Sequence, residues 1–181
     1  IFMNLKYAPY SFSKISSFNS CPQKFKFQYI DKIGAFIETP ALIRGRAVHY
    51  CIENFHLDVS EYSDEIQNNI KQFPKILDIV ENFKKSNLGQ KYLYNIEKTP
   101  INEYKIGLSK ELEPTEYSKT SLFNGIVDYI CVLKENDENL FNLCDFKTGK
   151  LKDSRYMDYN QLLFYAIYFF EKYKLQKIKI T

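Results

Sequence analysis

Asp145 and Lys147 stand two positions apart at the end of an apolar run. An acid and a lysine at this spacing are candidates for a catalytic site. In a β-strand, successive side chains point to opposite faces, so these two would share one face while Phe146 points into the protein. A second acid, Asp128, lies in another apolar stretch that predicts a buried strand. A carboxylate is costly to bury unless it is paired or binds a metal, so two acids and a lysine on adjacent strands indicate a metal-dependent hydrolytic site. From Asp145 and Lys147 alone, a surface ion pair near a turn is the alternative.

These side chains match the needs of phosphate-ester cleavage. The reaction requires a nucleophilic water, neutralisation of charge at phosphorus and stabilisation of the leaving oxygen, and divalent cations can supply all of these. Asp128 and Asp145 offer the hard oxygen ligands that Mg²⁺ and Mn²⁺ prefer. Near such a cation, Lys147 would orient the attacking water or stabilise charge on the phosphate. A hydrolase of small phosphate esters is a separate hypothesis, which the lack of a Gly-rich phosphate loop in the sequence does not favour.

The composition predicts a soluble, cytoplasmic protein of one domain. A chain of 181 residues is long enough for a single hydrophobic core, and no apolar run in it reaches the length of a membrane span. The cysteines stand singly among apolar or aromatic neighbours, which predicts reduced, buried thiols at Cys21, Cys51, Cys131 and Cys144. Residues 176–181 resemble a strand that has barely begun, so one interpretation is that the natural chain continues beyond them.

The net charge is only +3, which by itself is weak evidence for a nucleic-acid partner. Residues 1–55 contain seven Lys or Arg and three acidic residues, which gives a local net charge of +4. A basic helical face is commonly just solvated, and contact with DNA is the other hypothesis for this excess.

The pattern of apolar residues predicts an α/β protein with a mixed sheet of about four or five strands flanked by helices. Ser13 is expected to cap the first helix, and Pro22 to lie in the first turn of the second. Residues 57–100 are expected to form a helical insertion within a single domain that covers residues 1–181. The other expected elements are a helix near 41–56, strands at 104–113, 121–133 and 140–147, a hairpin connection at 134–139, a helix at 158–174 and a final strand at 176–181.

Several groups of residues form an ordered series of motifs along the chain. They are Tyr10-Ser11-Phe12-Ser13 followed by Phe18-Asn19-Ser20-Cys21-Pro22-Gln23-Lys24-Phe25, then Arg44-Gly45-Arg46-Ala47-Val48-His49, Gly125-Ile126-Val127-Asp128, Asp145-Phe146-Lys147-Thr148-Gly149 and Gln161-Leu162-Leu163-Phe164-Tyr165. This series resembles the RecB-like branch of the PD-(D/E)xK nuclease superfamily, which includes CRISPR-associated RecB-like exonucleases, AddB-type nuclease domains and phage recombination exonucleases. The resemblance covers most of the chain apart from residues 57–115.

The resemblance implies a restriction-endonuclease-like core and a metal-dependent deoxyribonuclease. The substrate would be single-stranded DNA or DNA ends in recombination, repair or CRISPR spacer processing, with helicase, recombination or CRISPR proteins as partners and no role for a membrane. The implied catalytic residues are Asp128, Asp145 and Lys147, and the implied ligands of Mg²⁺ or Mn²⁺ are His49, Asp128, Asp145 and the backbone carbonyl of Phe146. Substrate contacts are implied for Gln161, Tyr165, Arg44, Arg46, Ser11 and Ser13.

The chain departs from some of these relatives in its cysteines. Several relatives bind an iron–sulfur cluster through a cysteine at the position of Cys21 and three more after the Gln-x-x-x-Tyr helix. No cysteine follows Cys144, so no iron–sulfur cluster is expected in this chain.

A different class of function is a DNA-binding accessory module without nuclease activity of its own, partnered with a helicase or a recombination complex. The intact set of His49, Asp128, Asp145 and Lys147 favours the nuclease, because a module that only binds DNA has no need of two buried acids.

Overall fold

The computed structural model describes residues 8–33, 38–90, 101–135, 138–148 and 159–181. These residues fall into two compact units. The first, called the sheet unit, contains the described residues of 8–33, 101–145 and 159–181, and the second, called the helical unit, contains residues 38–90 and 146–148. The single domain expected from the sequence stays a prediction.

The sheet unit is built around a mixed sheet, to which the described residues contribute five strands. They are β1 (Ile101–Leu108), β2 (Pro114–Thr115), β3 (Phe123–Glu135), β4 (Glu138–Cys144) and β5 (Ile178–Ile180), in the order β2-β1-β3-β4-β5. Strands β4 and β5 are parallel, and the other neighbours are antiparallel. The α/β class and the expected size of the sheet are therefore confirmed, and the architecture is consistent with a restriction-endonuclease-like core.

The strand boundaries agree with the predictions in part. Strands β3 and β4 pair as the expected hairpin, but both reach into the connection predicted at residues 134–139: β3 continues to Glu135, β4 begins at Glu138, and these two residues pair. Residues 136 and 137 lie outside the described residues. The first strand, expected at 104–113, instead ends at Leu108. The chain turns immediately after it, because the N–H of Leu112 donates to the Ser109 carbonyl at 3.1 Å and Leu112 adopts a left-handed φ of 65°.

Helices occur in both units. In the described residues they include α1 (Phe12–Ser20), α2 (Pro22–Phe25, continued by a π-helical turn at Lys26–Ile30), α3 (Pro40–Glu53), α4 (Asp64–Gln72), α5 (Lys75–Lys85) and α6 (Asn160–Tyr173). A 3₁₀ turn spans Val59–Glu61, and residues 87–90 are also helical. The expected helix at 158–174 is confirmed as α6, although residue 158 lies outside the described residues. Its buried side chains, such as Leu162, Ala166 and Phe169, share one hydrophobic core with Ile106 of β1 and Val127 of β3.

The start of α1 corrects one sequence expectation. Ser11, rather than Ser13, caps this helix: it keeps an extended backbone, with φ −118° and ψ 164°, and its Oγ accepts from the N–H of Lys14 at 3.3 Å. Ser13 lies inside the helix and is exposed, so its predicted role as cap is wrong.

Pro22 occupies the first turn of α2, as the sequence predicted. Cys21 caps this helix through its Sγ, which accepts from the N–H of Lys24 at 3.4 Å. Cys21 is only half-buried, so the prediction that it is buried is wrong. The prediction holds for Cys51, Cys131 and Cys144, and these thiols are free.

The helical unit has its own core. Thr39 caps α3 by accepting from the N–H of Leu42 at 3.3 Å, and Pro40 follows it in the first turn. The helices α3, α4 and α5 bury apolar side chains that include Val48, Ile52, Ile66, Ile70, Ile76 and Val80. The helical character predicted for residues 57–100 is confirmed as far as residue 90, residues 91–100 lie outside the described residues, and the assignment as an insertion stays a prediction.

None of the helices in the described ranges is both long enough and apolar enough to cross a membrane.

Candidate active site

Asp128 and Asp145 lie at one end of the β3–β4 ladder. The last residue pair of this ladder is Tyr129 with Cys144; Asp128 precedes Tyr129 in β3, and Asp145 immediately follows Cys144, the last residue of β4. The backbone before Asp145 is held by β5, because the N–H of Thr181 donates to the Leu143 carbonyl at 2.9 Å and the N–H of Asp145 donates to the Thr181 carbonyl at 3.2 Å. The two acids predicted from the sequence therefore lie opposite each other, one step beyond the last pair of the ladder.

A buried amide–thiol cluster supports the strand end behind Asp145. The side-chain amide of Asn142 donates to Cys144 Sγ at 3.0 Å, and the Thr181 hydroxyl donates to Asn142 Oδ1 at 2.9 Å. The pKa of Cys144 is raised, first by its hydrogen bond to Cys131 and then by burial, with a smaller contribution from the charge of Asp128. Asp128 therefore lies close enough to Cys144 for its charge to act there.

Gln161 and Tyr165 join the acids in the sheet unit. Gln161 Nε2 donates to the Tyr165 hydroxyl at 3.2 Å, as expected for positions four apart on one helix. Burial raises the pKa of Tyr165, and the negative charges of Asp145 and of Asp128 raise it further. The charges of both carboxylates therefore act on this hydroxyl, and in the sheet unit Asp128 and Asp145 share one strand end while Gln161 and Tyr165 share one helix face.

Gly125 gives the Tyr165 ring its space. A Cβ atom at Gly125 would lie 3.0 Å from Tyr165 Cδ1 and only 2.5 Å from Tyr165 Cε1, and the second separation is shorter than non-bonded carbon atoms adopt. The ring can lie across β3 because this residue has no side chain. The sequence placed Gly125 in a motif but did not predict this contact; a glycine inside an apolar strand is the signal that points to such a close approach.

We expect the substitution Gly125→Ala to destabilise the protein by about 1–3 kcal/mol, because the added methyl group overpacks the contact with Tyr165. Urea unfolding of the single variants and of the Gly125→Ala, Tyr165→Leu pair measures this cost. In the Tyr165→Leu background the methyl group has room, so the cost should fall by more than half. An equal loss of stability in both backgrounds would contradict the proposed clash.

The chain after Asp145 corrects the predicted strand. Strand β4 ends at Cys144, and residues 145–148 have no regular structure, so the expectation of a strand through Lys147 is wrong. The reason is a contact far away in sequence: the Phe146 carbonyl lies 2.9 Å from His49 Nε2 on α3. The expected strand alternation between Asp145 and Lys147 is therefore lost.

Phe146 packs in the helical unit rather than in the sheet. Its ring makes edge-to-face contacts with His49, at 5.8 Å between centroids, and with Phe83, at 5.4 Å. Two residues later, Thr148 Oγ1 would lie 3.3 Å from a Cβ atom at Gly45, so Gly45 allows the segment to approach α3 closely. Lys147, between them, is exposed, and Gly149 lies outside the described residues.

The two arginines of the Arg-Gly-Arg motif differ in their surroundings. Arg46 forms ion pairs with Glu38 and, at 3.3 Å, with Glu65, so two carboxylates offset its charge. The Nε atom of Arg44 is buried, and within the described part of the chain no acceptor pairs with it. A buried donor without a partner is costly, so Arg44 is a better candidate than Arg46 to bind an anion.

A family model for the PD-(D/E)XK nuclease superfamily matches residues 9–179. The chain belongs to the PD-(D/E)XK nuclease superfamily. Comparisons with curated proteins and with solved structures gave no match. Members of this superfamily are generally nucleases, hydrolases that cut phosphodiester bonds, and membership implies DNA as the substrate. The superfamily predicted from the motifs is therefore confirmed.

PD-(D/E)XK nucleases typically use Mg²⁺ or Mn²⁺, and the donor atoms of the helical unit fit such an ion. Neighbouring ligands of an octahedral cation with bonds of about 2.1 Å lie about 3.0 Å apart. His49 Nε2 and the Phe146 carbonyl oxygen are 2.9 Å apart, so a cation could bind both after their hydrogen bond is broken. Glu53, one helical turn after His49, has a carboxylate oxygen within 4.8 Å of an imidazole nitrogen. The sequence interpretation missed Glu53, although its spacing of four from His49 is the signal that could have found it.

Proposed function

We propose that this chain is a metal-dependent deoxyribonuclease, and specifically an exonuclease on single-stranded DNA or DNA ends. The observation that carries the proposal is the pair Asp128 and Asp145 at the end of the β3–β4 ladder, with both charges acting on Tyr165. The backbone supports the proposal, because the Phe146 carbonyl oxygen and His49 Nε2 are separated by the distance expected between two ligands of one cation.

The proposed metal ligands are Asp128, Asp145, His49 and the Phe146 carbonyl. When bound, Mg²⁺ or Mn²⁺ would act as a Lewis acid on the phosphate and lower the pKa of a bound water. Three oxygen donors suit either ion, and an imidazole favours Mn²⁺ over Mg²⁺. Lys147 would orient the attacking water or stabilise charge on the phosphate.

Gln161 and Tyr165 are proposed to position the reacting groups. The Tyr165 oxygen accepts from Gln161, so the phenol proton remains to be donated to a carboxylate, a water or a phosphate oxygen. Because the tyrosine is buried among these groups, its hydroxyl has a fixed direction, and preorganised donors of this kind contribute most to catalysis.

We propose that substrate phosphates bind Arg44 in preference to Arg46. The buried Arg44 Nε would gain an acceptor, whereas Arg46 would first have to break its ion pairs with Glu38 and Glu65. Ser11 is a weaker candidate. Its Oγ already accepts from Lys14, and only its proton remains to be donated. Ser13 is exposed and could reach a phosphate only by a surface contact.

The finer assignment to the RecB-like branch rests on the order of the motifs. We propose on that basis a role in recombination, repair or CRISPR spacer processing, with a helicase, recombination or CRISPR protein as partner. The free, buried thiols of Cys51, Cys131 and Cys144 favour a reducing compartment, which is consistent with a cytoplasmic protein.

The proposal is tested with end-labelled linear DNA, single-stranded and double-stranded, and with circular single-stranded DNA as the matched substrate without ends. We expect degradation of a linear substrate in Mn²⁺, none in excess chelator, and no cutting of the circle. Cutting of the circle would overturn the exonuclease assignment. Binding of DNA without cleavage in Mn²⁺ or Mg²⁺ would favour the accessory module instead.

A further inference from the structure

Lys172, near the end of α6, lies among three tyrosines. Its Nζ donates to the hydroxyl of Tyr168 at 2.8 Å and to that of Tyr104, on β1, at 2.9 Å. The same ammonium lies 5.1 to 5.6 Å from the ring centroids of Tyr104, Tyr168 and Tyr173. These four residues, all in the sheet unit, are called the tyrosine–lysine cluster below.

The charge of Lys172 is stabilised in this cluster. The hydrogen bonds to Tyr104 and Tyr168 raise the pKa of Lys172 well above its ordinary value, so the ammonium stays protonated at physiological pH. In the part of the chain that the structure describes, no carboxylate pairs with it. Its neighbour Lys174, in contrast, pairs with Glu171 at 2.9 Å. Within the described residues, the cluster therefore presents a positive charge that no carboxylate pairs with.

The polar atoms of the cluster contact one another. Two of the three N–H groups of Lys172 donate to phenol oxygens. The hydroxyls of Tyr104 and Tyr168 are 3.5 Å apart, and the Tyr173 hydroxyl also takes part in hydrogen bonding with Tyr104 and Lys172. An anionic acceptor would therefore replace one of these contacts and accept from the Lys172 ammonium and a phenol O–H. Packing fixes the position of Tyr168, which is buried, whereas Tyr104 is half-buried and Lys172 and Tyr173 are exposed and accessible to a ligand.

Tyr173 adds an aromatic surface beside this charge. Its ring is supported by Phe169, at 6.3 Å between centroids and 18° between planes, and by Phe141, at 5.3 Å. The residue is nevertheless 44% exposed. A supported but exposed ring next to a cation is the combination on which a nucleobase stacks when its phosphate is bound nearby.

We propose that the tyrosine–lysine cluster binds one nucleotide of a single DNA strand, with the phosphate on Lys172 and a tyrosine hydroxyl and the base on Tyr173. The inference rests on the proposed function, because it extends the substrate path of that site. Lys172 lies seven residues after Tyr165 on the same helix, about 10 Å along its axis. That is about three base steps of roughly 3.4 Å along the axis of a stacked strand. A single strand is required because only an unpaired base is available for stacking on Tyr173.

The test measures binding of labelled oligothymidine of about twelve nucleotides, in chelator, at several salt concentrations. We expect Lys172→Gln to weaken binding about tenfold and to reduce the log–log salt slope by about 0.7, the value for one phosphate contact on a single strand. Lys174→Gln is the matched control, since it removes the same charge from a neighbouring, exposed lysine, and it should change affinity less than about twofold. Equal effects of the two substitutions would overturn the proposed site.

Tyr173→Leu keeps the charge and tests the base contact. It should weaken binding of the single strand by about fivefold or more and leave binding of a duplex of equal length unchanged. Thermal unfolding of each variant separates lost contacts from lost folding, and this variant decides the matter if Lys172→Gln does not fold. Equal losses for single strand and duplex, or displacement of the strand by inorganic phosphate alone, would overturn the nucleotide assignment. Because binding is measured without metal, failure here is distinguishable from failure of the cleavage assay.

Discussion

Replacement of Asp128 and Asp145 by asparagine is expected to abolish Mn²⁺ binding in titration calorimetry and to lower DNA cleavage at least about a thousandfold. Asparagine keeps the size of each side chain and removes the charge that attracts a divalent cation. The positions of the two acids next to the Tyr129–Cys144 pair, and their joint effect on Tyr165, are the basis for this expectation.

Folding can be separated from metal binding in the same variant. Two neighbouring carboxylates repel one another without a metal, so the metal-free double variant should be at least as stable as the wild type in urea. Glu116→Gln, at an exposed position of the sheet unit, is the matched control and should bind Mn²⁺ like the wild type. Unchanged Mn²⁺ binding in the double variant would remove Asp128 and Asp145 from the ligand set.

The sheet could be predicted from the sequence because strand periodicity is a local property. Strands β3 and β4 appear close to their expected positions, and so does the hairpin between them. The end of β4 could not be predicted in the same way. The apolar pattern continues to Phe146, but this residue leaves the sheet because its carbonyl lies next to His49, 97 residues away. Periodicity carries no information about such a contact.

The difference between the two arginines also depends on contacts that the local sequence pattern does not reveal. Arg44 and Arg46 flank one glycine and look equivalent as candidate phosphate ligands. Their difference comes from Glu38 and Glu65, which reach Arg46 only once the helical unit has folded. The wrong prediction of the α1 cap has a local cause. Both Ser11 and Ser13 precede apolar helical positions, and only the extended backbone at Ser11 identifies it as the cap.

Lys147→Ala is expected to reduce single-turnover cleavage by at least about a thousandfold while DNA affinity stays within a few-fold of the wild type. One phosphate contact is a small share of an interface with many contacts, so the loss should appear in the rate rather than in binding. The backbone around Lys147 should keep its place without the side chain. Phe146 packs against His49 and Phe83 before it, and Thr148 approaches Gly45 after it.

The form of the loss identifies what Lys147 does. Arginine keeps the positive charge but cannot give up a proton, so Lys147→Arg should retain much of the activity if the lysine only stabilises charge, and should match Lys147→Ala if it must accept a proton from water. Lys71→Ala, at an exposed position in the last turn of α4, is the control for loss of a lysine and should cleave normally. If Lys147→Ala also cleaves at a rate near that of the wild type, then Lys147 is a surface lysine and the ion-pair interpretation of the Asp145–Lys147 motif is correct.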